Sequence, residues 1–272
     1  VKRAPGPNAL VLTGLARDFT RAYPQIKKFI IDPLRIKPEN IFISTWDDIG
    51  YWYPGDALKQ KSFMESGSLT VDKLRTVYPL AKIKIENFDS MKPILEARLA
   101  PIPEFFRPDI QHSNYLVRGL NLVSLFYKIS SGLQMIQEGT FGRIVRTRLD
   151  FAPMSYIPRV FTNSFITLKQ RNHLGQGTGD NFHMGTMSEQ LCMAKIFNNL
   201  EAIFKFSGNL LCPHLFVQSA LALEKIKYRE TSMRYTTLHT PGGQYQALGP
   251  NGHWVEAHLS DYKRSISPFK GK

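Results

Sequence analysis

An α/β fold is the architecture this sequence predicts, on three observations. Short aliphatic and β-branched runs alternate with helical patterns over the first 150 residues or so. One long helical stretch, Asn114 to Glu138, carries a broad apolar face of the kind that lies against a sheet. The stretch that follows, Gly142 to Asp150, reads as a buried strand ending in Arg146, Arg148 and Asp150. Open sheets hold their ligands at such strand ends. The bland alternative is a surface strand end with a local Arg–Asp pair.

The elements follow in order. Asn8 to Thr13 is the first buried strand, and Gly14 lets the chain turn towards a helix that includes Gln25 to Ile31. Asn40 to Thr45 is the second strand, closed by Trp46-Asp47-Asp48, and Ile49 to Gly67 reads as a long loop. Thr70 to Tyr78 suggests a short helix, and Ala81 to Glu86 a third strand with Ile83 and Ile85 on one face. A further helix is expected over Ser90 to Leu99, with Pro93 limiting its start. The Asn114 to Glu138 helix should cross the back of the sheet before Gly139 stops it. Beyond the central strand, Phe151 to Pro158 reads as a loop. Ser164 to Leu168 suggests a strand on a sheet edge or in a small second layer. Gly175 to Asp180 reads as a flexible glycine-rich loop, without the Gly-Lys-Ser/Thr of a Walker loop. Thr186 to Glu189 has the pattern of a capping box opening a helix. A second helix over His214 to Ile226 and a strand near Arg234 to Leu238 follow, which makes the C-terminal half the more helical one.

With 272 residues, 43% of them hydrophobic, the chain can build a core without metals or disulfides. Cys192 and Cys212 sit in apolar surroundings and read as packing residues. No apolar run is long enough to span a bilayer, and Val1 to Pro7 does not resemble a signal peptide. The formal charge of +13 points to an anionic partner. Nucleic acid, an anionic surface and the diphosphate of an activated metabolite all fit. The lysines are scattered, and no nucleic-acid motif stands out, so no specific nucleic-acid partner is expected.

Several residues could carry chemistry. Strand, Gly14, then Arg17 is a setting in which backbone amides and a cation approach a phosphate. Arg146 and Arg148, spaced by two, would face the same way and clamp a phosphate or carboxylate, or one of them would simply hold Asp150. Asp150 fits a divalent ion that bridges a diphosphate. Asp180 either takes a proton from an attacking hydroxyl or closes an Asx turn. The seven histidines show no tight metal-ligand spacing, though a late one folding back would complete a metal site.

Four blocks carry a resemblance. They are Leu10-Val11-Leu12-Thr13-Gly14-Leu15-Ala16-Arg17-Asp18-Phe19, Ile41-Phe42-Ile43-Ser44-Thr45-Trp46-Asp47, the long helix ending in Val145-Arg146-Thr147-Arg148-Leu149-Asp150, and Gly179-Asp180-Asn181-Phe182-His183-Met184-Gly185. In order and spacing, over roughly residues 9 to 205, they resemble viral and bacterial glycosyltransferases of the GT-A type. The likeness is strongest to the capsid-glycan glycosyltransferases of large algal viruses, a xylosyltransferase among them. The resemblance implies a Rossmann-like nucleotide-sugar-binding fold with a mostly parallel central sheet, in one domain. Residues 8–150 would bind the nucleotide sugar and 151–272 the acceptor. It implies a nucleoside diphosphate sugar as donor, a glycan hydroxyl as acceptor, transfer with inversion, and Mn2+ or Mg2+ as cofactor. Thr13, Gly14, Arg17, Arg146, Arg148 and Asp150 would lie at the nucleotide, Asp150 would hold the metal, and Asp180 would be the catalytic base. A host-cell cytoplasmic or membrane-peripheral location is expected. The family's Asp-x-Asp element is here Arg148-Leu149-Asp150, with arginine in place of the first acid. A basic surface-binding protein and an inactive relative are the alternatives.

Overall fold

The structure, a computed structural model, describes residues 6–48, 68–102, 115–157, 164–169, 177–209, 211–237, 244–248 and 254–258. For 115–118, 236–237, 244–248 and 254–258 it gives the course of the backbone. The expected loop from Ile49 to Gly67 lies outside these residues.

The chain opens with strand β1 (Asn8–Gly14), helix α1 (Phe19–Ile26), strand β2 (Ile41–Trp46), helix α2 (Val71–Arg75) and strand β3 (Lys82–Glu86). Helices α3 (Phe88–Leu99) and α4 (Tyr115–Gln134) lead into β4 (Arg143–Arg148). Then come β5 (Phe151–Pro153), β6 (Phe165–Leu168), β7 (Phe182–Gly185), α5 (Met187–Asn198), α6 (Leu200–Phe206) and α7 (Pro213–Leu223). Strands β8 (Tyr228–Thr231), β9 (Tyr235–Thr237), β10 (Gln244–Leu248) and β11 (Trp254–His258) finish the described chain.

Seven strands form one sheet in the order β3-β2-β1-β4-β7-β6-β8. β1, β2, β3 and β4 pair in parallel, as do β6 and β8, and β7 runs antiparallel to both its neighbours. The sheet is therefore mostly parallel, and a Rossmann-like α/β fold is what the chain adopts. β1 is the pivot. The chain leaves it on one side for β2 and β3, and returns on the other side as β4, so the order reverses between β1 and β4.

Both faces of the sheet are covered, and for that reason its central strands read as near-continuous apolar runs. Alternation along each strand divides the core in two. Ala9, Val11 and Ile144 face α4, α5 and α7, in a layer with Phe126, Met193 and Phe216. Leu10, Leu12 and Val145 face α1 and α2, in a layer with Ile26, Ile30 and Leu74. α4 lies against the back of the sheet as expected. At Gly132 it comes so close that an added Cβ would stand 2.8 Å from Val11 Cγ1 and 2.9 Å from Thr13 Cγ2.

Several expectations are corrected. β6 lies inside the main sheet between β7 and β8, not on an edge or in a second layer. β7 was not expected at all: its four residues sit among glycines and carry a histidine, and antiparallel pairing with β4 holds them in place. Phe151–Pro153, read as loop, is a strand. It joins β9, β10 and β11 in a second sheet, order β11-β10-β9-β5. α3 begins at Phe88 and carries Pro93 within it, because Asn87 caps the start by accepting from the Ser90 amide at 2.8 Å. The helix expected to include Gln25 to Ile31 does so: α1 starts at Phe19 and runs on through a π turn at Lys27–Ile31. The capping box at Thr186 and Glu189 is present with both reciprocal bonds. Among the described residues, no helix is long and apolar enough to cross a membrane.

Candidate functional site

Parallel pairing of β1 with β4 brings the glycine turn and the charged strand end together. Thr13 lies opposite Arg148, and the Leu149 amide donates to the Thr13 carbonyl at 3.2 Å. Gly14 has φ of +92°, a conformation that glycine takes without strain, and an added Cβ there would meet open space. The turn it permits delivers Arg17 to the same place as Asp150.

Asp150 is 1% exposed and is held by guanidinium groups. Arg148 donates to both of its oxygens, Nε to Oδ1 and Nη2 to Oδ2, each at 2.7 Å. Arg17 Nη1 stands 3.8 Å from Oδ2. The two arginines remain partly reachable, with 20% and 12% of their side chains exposed. Burial lowers Arg17 to about 10 despite Asp150, and the neighbouring Arg148 adds to that fall. Burial also acts on Arg148, but the bidentate pair with Asp150 outweighs it and its pKa is raised.

Arg146 lies deeper and is fully buried. Its Nε donates to Thr13 Oγ1 at 2.9 Å and its Nη1 to the Asp180 carbonyl. Burial lowers its pKa to about 9. The expected clamp of Arg146 with Arg148 is therefore not what the geometry offers: the guanidinium that shares Asp150 with Arg148 is that of Arg17. Thr13 is likewise fully buried and spends its hydroxyl on Arg146.

The glycine-rich segment, expected to be flexible, is pinned along its described part. The Thr178 amide donates to the His214 carbonyl and the Gly179 amide to the Leu168 carbonyl, both at 3.0 Å. Thr167 Oγ1 donates to the Gly179 carbonyl at 2.7 Å. Gly177 has φ of +89°, and an added Cβ would sit 2.6 Å from His214 Cβ, so only glycine fits. Asp180 is consequently buried, and its Oδ1 stands 3.1 Å from His214 Nδ1 at the start of α7. The contact is near enough for an ion pair but off the line of a good hydrogen bond. Burial pushes the Asp180 carboxyl up, but His214, Arg148 and Arg146 together hold it well below the usual carboxylate range. His183, on β7, is fully buried. Burial and then Arg146 hold it down to about 3, so it stays neutral. Its Nε2 donates to the Gly179 carbonyl at 3.0 Å, since a carbonyl can only accept.

His214 was absent from the sequence-based site. The signal for it was faint: a histidine behind Pro213 at a helix start, with no partner visible in the sequence. A second group was also missed, at the ends of β2 and β3. Lys128, fully buried in the apolar face of α4, donates to Glu86 Oε2 at 2.8 Å and to the Thr45 carbonyl at 2.7 Å. It lies 3.7 Å from the centroid of Trp46. Tyr127 donates to Glu86 Oε1 at 2.6 Å. Burial pulls Lys128 down to about 8 against the attraction of Glu86. A lysine in the middle of an otherwise apolar helix face was the available hint.

The donor set does not fit a divalent cation. Such an ion needs several oxygen ligands, and the Asp150 carboxylate is bridged through both oxygens by Arg148, with the Arg17 guanidinium beside it, so a cation there would meet two fixed positive charges. The nearby Asp180 carboxylate is turned to His214. Among the described residues, no three of His, Cys, Asp and Glu come together as a metal group. His112, His173, His239 and His253 lie outside the described residues.

No family model matches the chain, and no curated protein matches it. Among solved structures it is similar to mouse xyloside xylosyltransferase 1 in its apo form, with a TM-score of 0.43 and 9% identity. The likeness covers 83% of this chain and 85% of that one. At this level of similarity no residue's role follows from it.

Proposed function

We propose that the chain is a glycosyltransferase that takes a nucleoside diphosphate sugar, xylose being the first sugar to try, and moves the sugar to a glycan hydroxyl. One observation carries this reading. The guanidiniums of Arg17 and Arg148 meet at the C-terminal ends of β1 and β4, beside the Gly14 turn, where the strand order of the sheet reverses. Open α/β sheets bind nucleotides at that crevice, and partly exposed arginines suit a diphosphate.

In the proposed reaction the acceptor oxygen bonds to the anomeric carbon as the bond from that carbon to the phosphate oxygen breaks. The electron pair leaves with the nucleoside diphosphate, and the configuration inverts. Arg17 and Arg148 stabilise the charge that develops on the leaving phosphates. The hydroxyl proton passes to the Asp180–His214 pair. Asp180 lies beside the Arg148 and Arg146 guanidiniums, which keep it ionised. The His214 imidazole therefore receives the proton, and Asp180 then holds the imidazolium so formed, the division of labour of an Asp–His pair. Residues 8–150 would supply most of the donor site and 151–272 the acceptor side.

The test is a panel of nucleotide sugars (xylose, rhamnose, fucose, galactose and glucose donors), followed for hydrolysis and for transfer to glycan acceptors. At least one donor should be consumed, and Arg148→Ala should slow that turnover by about a hundredfold, the loss of roughly one charged transition-state donor. His214→Gln should lower kcat and leave donor affinity in place. Consumption of none of the donors, with or without added manganese, would refute the reading.

A further inference from the structure

We infer that this site grips a diphosphate with guanidinium groups in place of a divalent cation: Arg17 and Arg148 take the phosphates, and Asp150 keeps the two guanidiniums in register. The inference rests on the glycosyltransferase reading and sharpens its chemistry.

Four features of the site support it. Arg148 puts a fixed positive charge two residues before Asp150 at the end of β4. Asp150 is buried, and both its oxygens accept from that arginine in a fork-to-fork pair. A cation entering there would have to break this pair and would also meet the like charges of Arg17 and Arg148. Finally, Arg17 and Arg148 repel each other across the site, and the Asp150 carboxylate between them offsets that repulsion. A guanidinium carries more N–H donors than one carboxylate can accept. Arg148 can hold Asp150 and still donate to a phosphate oxygen.

Asp150 is thus a positioning residue, and its loss has a signature that separates it from a metal ligand. If it holds arginines, its removal weakens diphosphate binding equally with and without metal. If it holds a cation, its removal abolishes only the metal-dependent part.

Calorimetric titration of the full chain with UDP, GDP, ADP and CDP, in excess EDTA and again in excess manganese, tests this. For the nucleotide that binds, Kd should agree between the two buffers within about threefold, less than one tenfold step of affinity. Asp150→Asn should weaken binding by about tenfold in both buffers, the worth of a charge-assisted pair. Arg148→Lys, which keeps charge but loses the fork, should do the same. A thermal melt of each variant separates lost binding from lost folding, and the wild-type comparison needs no variant. Binding seen only with manganese, or an Asp150→Asn defect confined to the manganese buffer, would overturn the inference while leaving a glycosyltransferase in place. Binding of no diphosphate in either buffer would overturn both.

Discussion

Arg146 shows how one residue can look like a ligand clamp and serve as a brace. It donates to Thr13 on β1 and to the Asp180 carbonyl in the glycine loop, so it ties three chain segments together. Among the described residues its Nη2 has no hydrogen-bond partner, and it stays charged at neutral pH even with its pKa lowered to about 9. Removing it would leave the Thr13 hydroxyl and the Asp180 carbonyl without that donor and would open a void. We expect Arg146→Ala to cost about 2–4 kcal/mol, the range for breaking a buried charged contact. Urea unfolding followed by tryptophan fluorescence would read this, and a cost below about 1 kcal/mol would show that the brace carries little. Arg148, two residues on, is the contrasting case, partly reachable and bound to a carboxylate. Spacing in the sequence put both side chains on one face of β4, but their different depths depend on what covers each position.

At the scale of elements, contact between α4 and the sheet governs the geometry. Gly132 lets the helix approach Val11 and Thr13 within van der Waals distance, and Thr13 in turn carries Arg146. The neighbouring atoms are branched methyls on a buried strand, so they cannot swing aside. Gly132→Ala should force helix and strand apart at a cost of about 1–3 kcal/mol, the usual price of overpacking. If a thermal melt showed Gly132→Ala to be as stable as the parent or more so, the close approach would not be a constraint. One turn earlier on the same helix, Lys128 and its neighbour Tyr127 reach the end of β3 at Glu86. Burial alone would raise Glu86, but bonds from Lys128 and Tyr127 outweigh it and lower its pKa from 4.5 to about 2. A depressed carboxyl contributes stability that is complete above its unfolded value and is lost as pH falls through its folded value. This pair should therefore weaken progressively from pH 4.5 down to about 2. Glu86→Gln should flatten that part of the acid-unfolding curve. An unchanged curve between those two pH values would remove Glu86 as a contributor to acid stability.

Across the whole molecule, one sheet gathers residues from both halves of the chain into a single edge. β1 and β4 bring Gly14, Arg17, Arg148 and Asp150 together, and the loop from β6 to β7 adds Asp180, with His214 from α7 beside it. The parts of this plan that depend on local pattern were legible in the sequence. The first strands, the long α4 helix, the capping box at Thr186 and the charge at the end of β4 each announce themselves through periodicity or a short-range bond. The unbroken apolar run of β1 even foreshadows the two cores, because a strand buried on both faces has to be apolar throughout. The remaining features could be decided only by contacts between residues far apart in the chain. β7 is a strand because β4 and β6 pair with it, and β5 is one because β9 does. His214 meets Asp180 because Gly177 has no side chain to keep them apart. Asp150 faces two guanidiniums because parallel pairing sets the Gly14 turn beside the end of β4. Sequence alone determined which residues are able to form strands and helices and where charge sits along them. Tertiary structure decided which charges are buried, which are paired and which remain within reach of a ligand, because burial and pairing are properties of neighbours in space.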